Sequence, residues 1–327
     1  MASSQLLTSA KASGIPTPSY KRSFNVDSTA YSRIVHVGVG GFHRAHQALY
    51  THLLSEHSNG QEWAIEGVGI VPSDEKMAQV LADQQGLYTL LSRGPRAHFT
   101  SSFDPYVVTE VSKSDPLEDI RIIGSIVGYH HGKDLETKRE IVDLLSEERT
   151  KIVSLTITEA GYCLNSEQKL DLTNTAVQHD LKSFEDKNPQ TALGLLSHML
   201  LQRSSPVTLL SCDNVPENGN RLREAMLAFA RELHNERLLH RIETSASFPN
   251  SMVDCITPVT ESTLIDYVRG KGVHDAWPVQ CETFHQWIIE DNFMAGRPAW
   301  HHVGAQFVLE YSQERFVNIF LLQLGWN

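Results

Sequence analysis

The sequence predicts an α/β fold in which a doubly wound, mostly parallel sheet is followed by a second, mainly helical domain. From Ile34 to about Ala230, strand-like and helix-like segments alternate along the chain. Strands that alternate with helices are typical of a parallel sheet with right-handed crossovers. After about residue 240 the pattern changes to helices and loops with many prolines and tryptophans, which predicts the start of the second domain.

The elements of the first domain are predicted from hydrophobic periodicity. The predicted strands cover residues 34–37, 63–70, 121–126, 152–158 and 207–211. Five helices are predicted. One begins at residue 42, a second contains Met77, Val80 and Leu81, and the others cover residues 136–148, 191–201 and 218–233. The strand over residues 152–158 is the clearest, because its run of aliphatic and β-branched residues fits a sheet that is buried on both faces.

A glycine cluster separates the first strand from the first helix. Gly38, Gly40 and Gly41 follow the apolar run, and helical spacing of apolar residues begins at Phe42. Such a turn at a helix N-terminus binds phosphate, because glycines let the backbone approach and free N–H groups favour negative charge. A complete dinucleotide fingerprint would have a third glycine at position 43, where His43 stands. The segment therefore favours a Rossmann-like nucleotide site, with an ordinary glycine turn as the alternative.

Composition and charge bear on the class of partner. The 327 residues are 41% hydrophobic, as in a globular protein with a sizeable core, and 28 Lys and Arg against 39 Asp and Glu give a net charge of −11. This balance disfavours nucleic acid and anionic membrane as partners. No run of about 18 apolar residues predicts a transmembrane helix. Residues 1–30 lack an apolar signal-peptide core, so we expect a loose N-terminal arm and a cytoplasmic protein, with a transit peptide as the alternative.

Neither a metal site nor a disulfide framework is predicted. The 16 histidines include adjacent pairs such as His130-His131, whose side chains diverge, and no spacing matches a metal motif. Cys281 and His285 lie four residues apart and would share a face on a helix, but two ligands do not make a site. The four cysteines lie far apart without a CxxC pair, which indicates reduced thiols. No GxSxG elbow supports a serine nucleophile.

Five separated segments carry a more specific signal. They are Gly38-x-Gly40-x-Phe42-His43-Arg44-Ala45-His46-Gln47, SLTITEAGYC from Ser154, SCDNVPENG from Ser211, FPNSMVD from Phe248 with Ile256-Thr-Pro258, and Trp277-Pro-Val with Gly296-Arg-Pro-Ala-Trp300. In order and spacing these segments resemble the mannitol dehydrogenase family, the long-chain polyol dehydrogenases. The resemblance covers about residues 30–308.

The resemblance implies metal-independent, NAD-dependent interconversion of D-mannitol and D-fructose, with a dehydrogenase of another polyol or of a sugar acid as the alternative. It implies NAD as cofactor, a small polyol or ketose as substrate, and a monomer for the intact family fold. The residues that it assigns to cofactor binding are Val37, Gly38, Val39, Gly40, Gly41, Phe42, His43, Arg44, Ala45 and Asp74. Packing is an equal alternative for Phe42 and His43, as is a structural ion pair for Arg44.

Asp74 follows the second predicted strand and matches the family position associated with NAD preference. An acidic side chain there accepts hydrogen bonds from the adenosine ribose and repels a 2′-phosphate. Some relatives carry a second acid at the preceding position, where Ser73 stands here, which puts strict NAD selectivity in doubt. A helix N-cap in the segment from Ser73 to Lys76 is the alternative role.

Two residues match the family near its substrate. Asn214 resembles an asparagine whose amide holds the substrate oxygen where alkoxide charge develops, an oxyanion-stabilising role. A turn asparagine before Pro216 is the alternative. Asp254 resembles a position close to the substrate, but the next residue is Cys255, where the family usually has arginine.

The family's general base has no counterpart in the sequence. Family members use a lysine in a Lys-x4-Asn-x2-His pattern shortly beyond the equivalent of Phe307-Val308, and ungapped alignment places Asn318 at that lysine. The last lysine is Lys271. We therefore expect a dinucleotide-binding domain over residues 31–240 and, over residues 241–327, the incomplete start of a helical substrate domain in a truncated or misjoined chain. The competing interpretation is a catalytically impaired NAD-binding fragment that is prone to self-association.

Overall fold

The central feature of the fold is a six-stranded parallel sheet, whose strands lie side by side in the order 126–131, 63–69, 32–37, 150–155, 207–211 and 246–247. The computed structural model of the chain describes residues 31–57, 63–94 and 117–310, so the predicted arm over residues 1–30 lies outside the described residues. The six strands are β1 (Ser32–Val37), β2 (Trp63–Gly69), β5 (Ile126–His131), β6 (Thr150–Leu155), β7 (Val207–Ser211) and β8 (Ala246–Ser247). The chain moves outward from β1 through β2 to β5, then returns to β6 on the other side of β1, which makes the sheet doubly wound.

Both faces of this sheet are buried. Along β1, Ile34 belongs to one apolar core and Val35 to another, and Ile152 and Val153 divide in the same way along β6. Successive strand residues point to opposite faces, so these two cores lie on the two sides of the sheet. A strand that is covered on both sides must be apolar at consecutive positions, which explains the uninterrupted apolar runs in the sequence.

Helices connect and cover the strands. In the described ranges they are α1 (Gly41–Ala45), α2 (Gln47–His57), α3 (Glu75–Asp83), α4 (Leu135–Ser146), α5 (Thr158–Gly161), α6 (Thr175–Lys182), α7 (Ala192–Gln202), α8 (Asn218–Glu232), α9 (Glu236–Ser245) and α10 (Ser262–Gly270). Several begin at a side-chain cap, with Asp134 before α4, Asn174 before α6 and Thr191 before α7 each accepting a backbone N–H. Across the part of the chain that the structure describes, no helix has both the length and the apolar character needed to cross a bilayer.

Two smaller sheets pack beside the main one. Their strands are β3 (Tyr88–Gly94), β4 (Leu117–Ile123) and β10 (Val279–Cys281), and β9 (Ser251–Asp254), β11 (Gln286–Glu290) and β12 (Gln306–Val308). In the first sheet β3 lies between β10 and β4, and in the second β11 lies between β12 and β9. Trp287 of β11 and Trp300, in the 3₁₀ helix before β12 (Trp300–Val303), belong to the same apolar core as the residues of α2.

The predicted parallel sheet is confirmed, but the strand predicted over residues 152–158 ends at Leu155, and Thr158 begins α5. Two further details of the prediction are wrong. Residues 121–126 are not one strand, because Gly124 and Ser125 separate β4 from β5, which belong to different sheets. The Ser125 hydroxyl donates to the Ala48 carbonyl at 2.7 Å and holds the break. Between residues 246 and 310 the chain forms short strands, helix α10 and a 3₁₀ helix (Trp300–Val303), so the predicted pattern of helices and loops missed the strands. Strands of two to five residues are too short to show a hydrophobic period. The division into domains at residue 240 stays a prediction.

Candidate functional site

The glycine turn lies between β1 and α1, at the carboxyl end of the central strand. Gly38 has a φ of +91°, and a Cβ at this position would lie 2.3 Å from the Thr156 carbonyl oxygen. Only glycine fits there, because the left-handed conformation and the close approach both exclude a side chain. A Cβ on Gly40 would instead meet no atom nearer than 3.9 Å. Gly38 is thus required by the fold, whereas Gly40 leaves open space at the beginning of α1.

The residues predicted to bind the cofactor divide by accessibility. Gly38, Gly40, Gly41 and Phe42 are partly exposed, whereas Val37, Val39, His43, Arg44 and Ala45 are buried. The first N–H groups of a helix have no partner within the helix, so the exposed glycine backbone offers donors to an anion. The buried residues can shape the turn from below but cannot present their side chains to a ligand at its surface.

His43, at the position of the third fingerprint glycine, forms part of a buried imidazole pair. Its ring stacks on that of His36 with centroids 3.5 Å apart and planes 11° from parallel. The two His36 ring nitrogens each lie 2.8 Å from a hydroxyl oxygen, of Ser154 and of Thr156. Burial lowers the pKa of His36 to about 3 and that of His43 well below its ordinary value. Both rings are therefore neutral at pH 7 and support the turn by packing, which favours the packing alternative for His43.

Arg44 is buried and serves the fold. Its Nη1 donates to the Trp277 carbonyl at 2.5 Å, and its guanidinium lies over the Tyr88 ring at 5.3 Å from the centroid. Burial lowers its pKa. The geometry favours a structural role, although the partner is a backbone carbonyl rather than the predicted acid. The contact ties α1 to the segment that precedes β10.

A 3₁₀ turn (Pro72–Asp74) follows β2, and its last residue, Asp74, is partly exposed. Its Oδ2 accepts the Val71 N–H at 3.1 Å. Asp74 is the residue before α3, but its side chain makes no hydrogen bond to the first turn of that helix. The predicted N-cap role is thus replaced by a cap of the preceding turn. The hydrogen bond to Val71 uses Oδ2, which leaves Oδ1 of this partly exposed side chain for a ligand.

The ends of β6 and β7 meet at the same edge as the glycine turn. The Thr156 hydroxyl donates to the Gly38 carbonyl at 2.7 Å, and the Cys212 N–H donates to the Leu155 carbonyl at 2.8 Å. Asn214 follows on the β7 side and is exposed. The structure therefore brings the glycine turn and the loop that carries Asn214 to one edge of the sheet, as expected for carboxyl ends of parallel strands.

Asp213 follows the predicted strand over residues 207–211 and precedes Asn214, but the sequence analysis assigned it no role of its own. Its side chain is buried, and its Oδ1 accepts the Thr158 N–H at 2.8 Å. Its Oδ2 accepts the Ile157 N–H at 3.3 Å and the Tyr162 hydroxyl at 2.9 Å. Burial raises the pKa of Asp213, and these hydrogen bonds oppose that shift. An acid directly after a buried strand was the available signal, but its partners are 51 to 56 residues away.

Asn218 is a second residue that sequence reasoning missed. It is fully buried at the first position of α8, and its Nδ2 donates to the carbonyls of Asp213 and Ser251, each at 2.9 Å. Its Oδ1 accepts the Ser251 N–H at 2.9 Å. Asn218 thereby ties the loop after β7 to the beginning of β9.

Asp254 is the last residue of β9 and pairs with Gln286 of β11. Desolvation, followed by the charge of Glu282, raises the pKa of Asp254. Three residues later, the Thr257 methyl lies 3.3 Å from the position of a Cβ on Gly41. The chain that follows Asp254 therefore lies beside the glycine turn, on its β9 side.

The predicted helix face shared by Cys281 and His285 does not exist. Cys281 ends β10, and His285 lies in the loop before β11. The Cys281 Sγ instead lies 3.3 Å from the Ser92 hydroxyl oxygen. All four cysteines are buried free thiols. Within the described residues, no group of three or more His, Cys, Asp and Glu side chains is arranged to hold a metal ion.

The fold and the turn together define a class of protein. A doubly wound sheet with a glycine turn at the carboxyl end of its first strand is the architecture of dinucleotide-binding α/β domains. Residues 32–302 match the family described as the mannitol dehydrogenase Rossmann domain. The chain belongs to this family.

Individual relatives agree with this assignment. The chain is 35% identical over 320 residues to mannitol 2-dehydrogenase of Aspergillus clavatus, which covers 96% of this chain and 58% of the relative. It is 38% identical over 286 residues to D-mannonate oxidoreductase of Escherichia coli, which covers 85% of this chain and 54% of the relative. The solved ternary complex of Pseudomonas fluorescens mannitol 2-dehydrogenase with NAD and D-mannitol is 38% identical, with a TM-score of 0.75, 88% of this chain covered and 55% of that one. The chain thus spans little more than half the length of these relatives.

Proposed function

We propose that this chain carries the NAD-binding half of an oxidoreductase that acts on the CH–OH group of a polyol, with D-mannitol and D-fructose as its substrate pair. The observation that carries the proposal is the position of the glycine turn. It lies at the carboxyl end of β1, the strand between β2 and β6, where the order of the strands reverses. The open space at Gly40 and the exposed backbone of Gly41 fit a pyrophosphate at the beginning of α1. Family membership and the NAD- and mannitol-bound relative support the choice of cofactor and substrate.

The residues of the site divide the work of binding and orientation. The glycine backbone holds the pyrophosphate, and the Asp74 carboxylate accepts hydrogen bonds from the adenosine ribose. The cofactor, when bound, supplies the hydride chemistry. Asn214, exposed after β7, donates from its amide to the substrate oxygen where alkoxide charge develops. Asp254 lies near the substrate, on the β9 side of the turn.

Two further statements belong to this proposal. We expect a cytoplasmic protein, since its four cysteines are free thiols and reduced thiols are typical of that compartment. We also expect the complete family fold to be a monomer, while a polypeptide limited to these residues self-associates.

A sugar-acid substrate is the second candidate within the same reaction class. The 38% identity to D-mannonate oxidoreductase is as high as the identity to the solved mannitol 2-dehydrogenase. The two relatives match this chain equally well in sequence, so the similarity alone does not choose between a ketose and a keto acid.

The test is an NADH titration followed by a substrate assay on the purified chain. We expect NADH to bind and its fluorescence to change saturably, because the turn is complete. D-Fructose and D-fructuronate are then compared as substrates for NADH oxidation. A Gly40→Leu variant fills the open space above α1 and serves as the matched control, since it should lose NADH binding without loss of fold. Absence of NADH binding by the parent chain would refute the proposal.

A further inference from the structure

Asp213 lies at the edge of the sheet that the proposed function assigns to the cofactor, yet it is only 7% exposed. A carboxylate that is removed from solvent this far costs free energy unless its oxygens are hydrogen-bonded. Three donors satisfy it: the Ile157 and Thr158 N–H groups and the Tyr162 hydroxyl. Tyr162 also shares a hydrogen bond with the Ser211 hydroxyl. The carboxylate thus joins the end of β7 to the turn after β6.

The turn that Asp213 holds is strained. Thr158 has a φ of +61°, in the left-handed region that β-branched residues rarely adopt. Such a conformation persists only where the surroundings fix it, and such residues cluster at ligand sites. The Asp213 Oδ1 accepts the N–H of this same residue at 2.8 Å. The Asp213 carboxylate therefore holds Thr158 in a backbone conformation that a β-branched side chain disfavours.

The strained turn is coupled to the glycine turn. Thr156, two residues before Thr158, donates its hydroxyl to the Gly38 carbonyl at 2.7 Å and its N–H to the Val37 carbonyl at 3.1 Å. A contiguous path of hydrogen bonds and backbone therefore runs from Gly38 through Thr156 and Thr158 to Asp213. On the other side of Asp213 the Val215 N–H donates to the Asp213 carbonyl at 2.8 Å, which fixes the backbone on both sides of Asn214.

We propose that Asp213 is a positioning residue for the nicotinamide half of the cofactor, acting through the Thr158 turn and Asn214. The inference rests on the proposed function. In a doubly wound sheet, one mononucleotide half lies on each side of the first strand. Asp74 lies on the β2 side and takes the adenosine ribose, so the nicotinamide half faces the ends of β6 and β7. The Asp213 carboxylate fixes both of these ends.

The test compares NADH with ADP, which lacks the nicotinamide half, in titrations of the parent chain and of Asp213→Asn. The variant keeps the shape of the side chain but replaces one acceptor oxygen by an NH₂ that faces the donors. We expect NADH binding to weaken about tenfold, as for one lost buried hydrogen bond. ADP binding should stay within about twofold, because ADP does not reach the ends of β6 and β7.

Asp180→Asn is the matched control. Asp180 is also buried and accepts the Gln190 N–H at 2.7 Å and the Thr191 N–H at 2.9 Å, but it belongs to α6 and holds the segment before α7. The Asp180→Asn variant loses a similar set of hydrogen bonds. The affinities of its folded fraction for NADH and ADP should equal those of the parent chain. If Asp213→Asn does not fold, Tyr162→Phe removes a single donor to the same carboxylate and should weaken NADH about threefold, again without effect on ADP.

The outcomes separate the inference from the function on which it rests. Weakened NADH with unchanged ADP, in Asp213→Asn but not in Asp180→Asn, supports the positioning role. Equal loss of NADH and ADP, or a loss that Asp180→Asn reproduces, shows that Asp213 is merely structural and overturns the inference. A parent chain that binds neither NADH nor ADP refutes the proposed function and the inference together, whereas a parent that binds both leaves the function in place whatever Asp213→Asn does.

Discussion

Asp74 follows β2 on one side of β1, and Asp213 follows β7 on the other side. Asp74 is partly exposed and accepts one backbone N–H, whereas Asp213 is buried and accepts three donors. The protein thus uses the hydrogen-bonding capacity of the Asp213 carboxylate internally, whereas the Asp74 carboxylate stays partly exposed. Position in the sequence, an acid shortly after a strand, is the same for both. We infer from this pair that a buried acid holds the protein together, and we propose that the partly exposed one is available to a ligand.

The same contrast applies within the glycine turn. Gly38 is required because β1 and the turn after β6 approach closely, and Gly40 leaves open space. On the Asp213 side, Gly38 approaches the backbone of Thr156 closely. The Asp74 side ends in a 3₁₀ turn whose middle residue, Ser73, is exposed. Substitutions should cost stability on the first side and change ligand preference on the second.

The largest effect that we expect concerns turnover. Neither carboxylate replaces the family's lysine, so a polypeptide of these 327 residues should oxidise NADH with D-fructose at a rate lower by about 10²–10⁴-fold, the contribution of positioned proton transfer. The measurement is fructose-dependent NADH oxidation, with NADH binding by the same sample as the control for folding. Turnover on the order of 10 per second would contradict the prediction. Such turnover would also indicate that a carboxylate serves as the base. Asp213, whose pKa is raised by burial, would be a candidate, and it would then no longer be a purely structural acid.

The second prediction is that Gly38→Ala destabilises the fold. The new Cβ would lie 2.3 Å from the Thr156 carbonyl oxygen, and alanine would need a φ of +91°. A non-glycine residue in such a conformation costs about 1–3 kcal/mol before any clash is counted, so we expect a loss on the order of 3 kcal/mol in the free energy of unfolding. Denaturant unfolding measures it. Gly40→Ala, where the Cβ meets open space, is the control and should change stability by less than about 0.5 kcal/mol. Equal losses in the two variants would show that the close approach is not what Gly38 provides.

These two regions also show what the sequence can and cannot predict. β1, the glycine turn and the strands β6 and β7 follow from local patterns, because apolar runs and glycines act over a few residues. The roles of Asp213 and Asn218 depend on partners 33 to 56 residues away, which no local pattern indicates. The His36–His43 stack is similar, since His43 looks like a defect in a glycine motif until its ring is found buried beneath the turn.

The short strands after residue 246 were missed for a different reason. β8 and β10 have two and three residues, so their pairing with longer strands, rather than their own pattern, makes them strands. Tertiary context decides the conformation of such segments. Sequence reasoning therefore performed best at the centre of the main sheet and least well in the two smaller sheets, one of which contains Asp254.

A third prediction tests the ligand-facing role of Asp74. Asp74→Ala should weaken NADH binding about tenfold, the loss expected for a hydrogen bond to a charged group. It should weaken NADPH less, because the acid's charge is what disfavours the extra phosphate. Parallel titrations give the ratio of the two dissociation constants, and Glu75→Ala, which removes a neighbouring exposed acid in α3, is the control. If the parent chain already binds NADPH as well as NADH, Ser73 has removed the discrimination and Asp74 does not set the preference.

The smallest effect should come from Ser73 itself. Ser73→Glu places a second negative charge beside Asp74 at an exposed position and should raise the preference for NADH over NADPH by about threefold, since exposed charge pairs contribute at most about 1 kcal/mol. Salt screens exposed charges over about 10 Å at 0.1 M, so the gain should shrink as ionic strength rises. Ser204→Glu adds the same charge just before β7, at the opposite end of the strands, and should leave the ratio unchanged. A gain that persists in high salt, or one that Ser204→Glu reproduces, would show that the β2 side does not select the cofactor through local charge. Asp213 would then still stabilise the fold, but Asp74 would no longer be its ligand-binding counterpart.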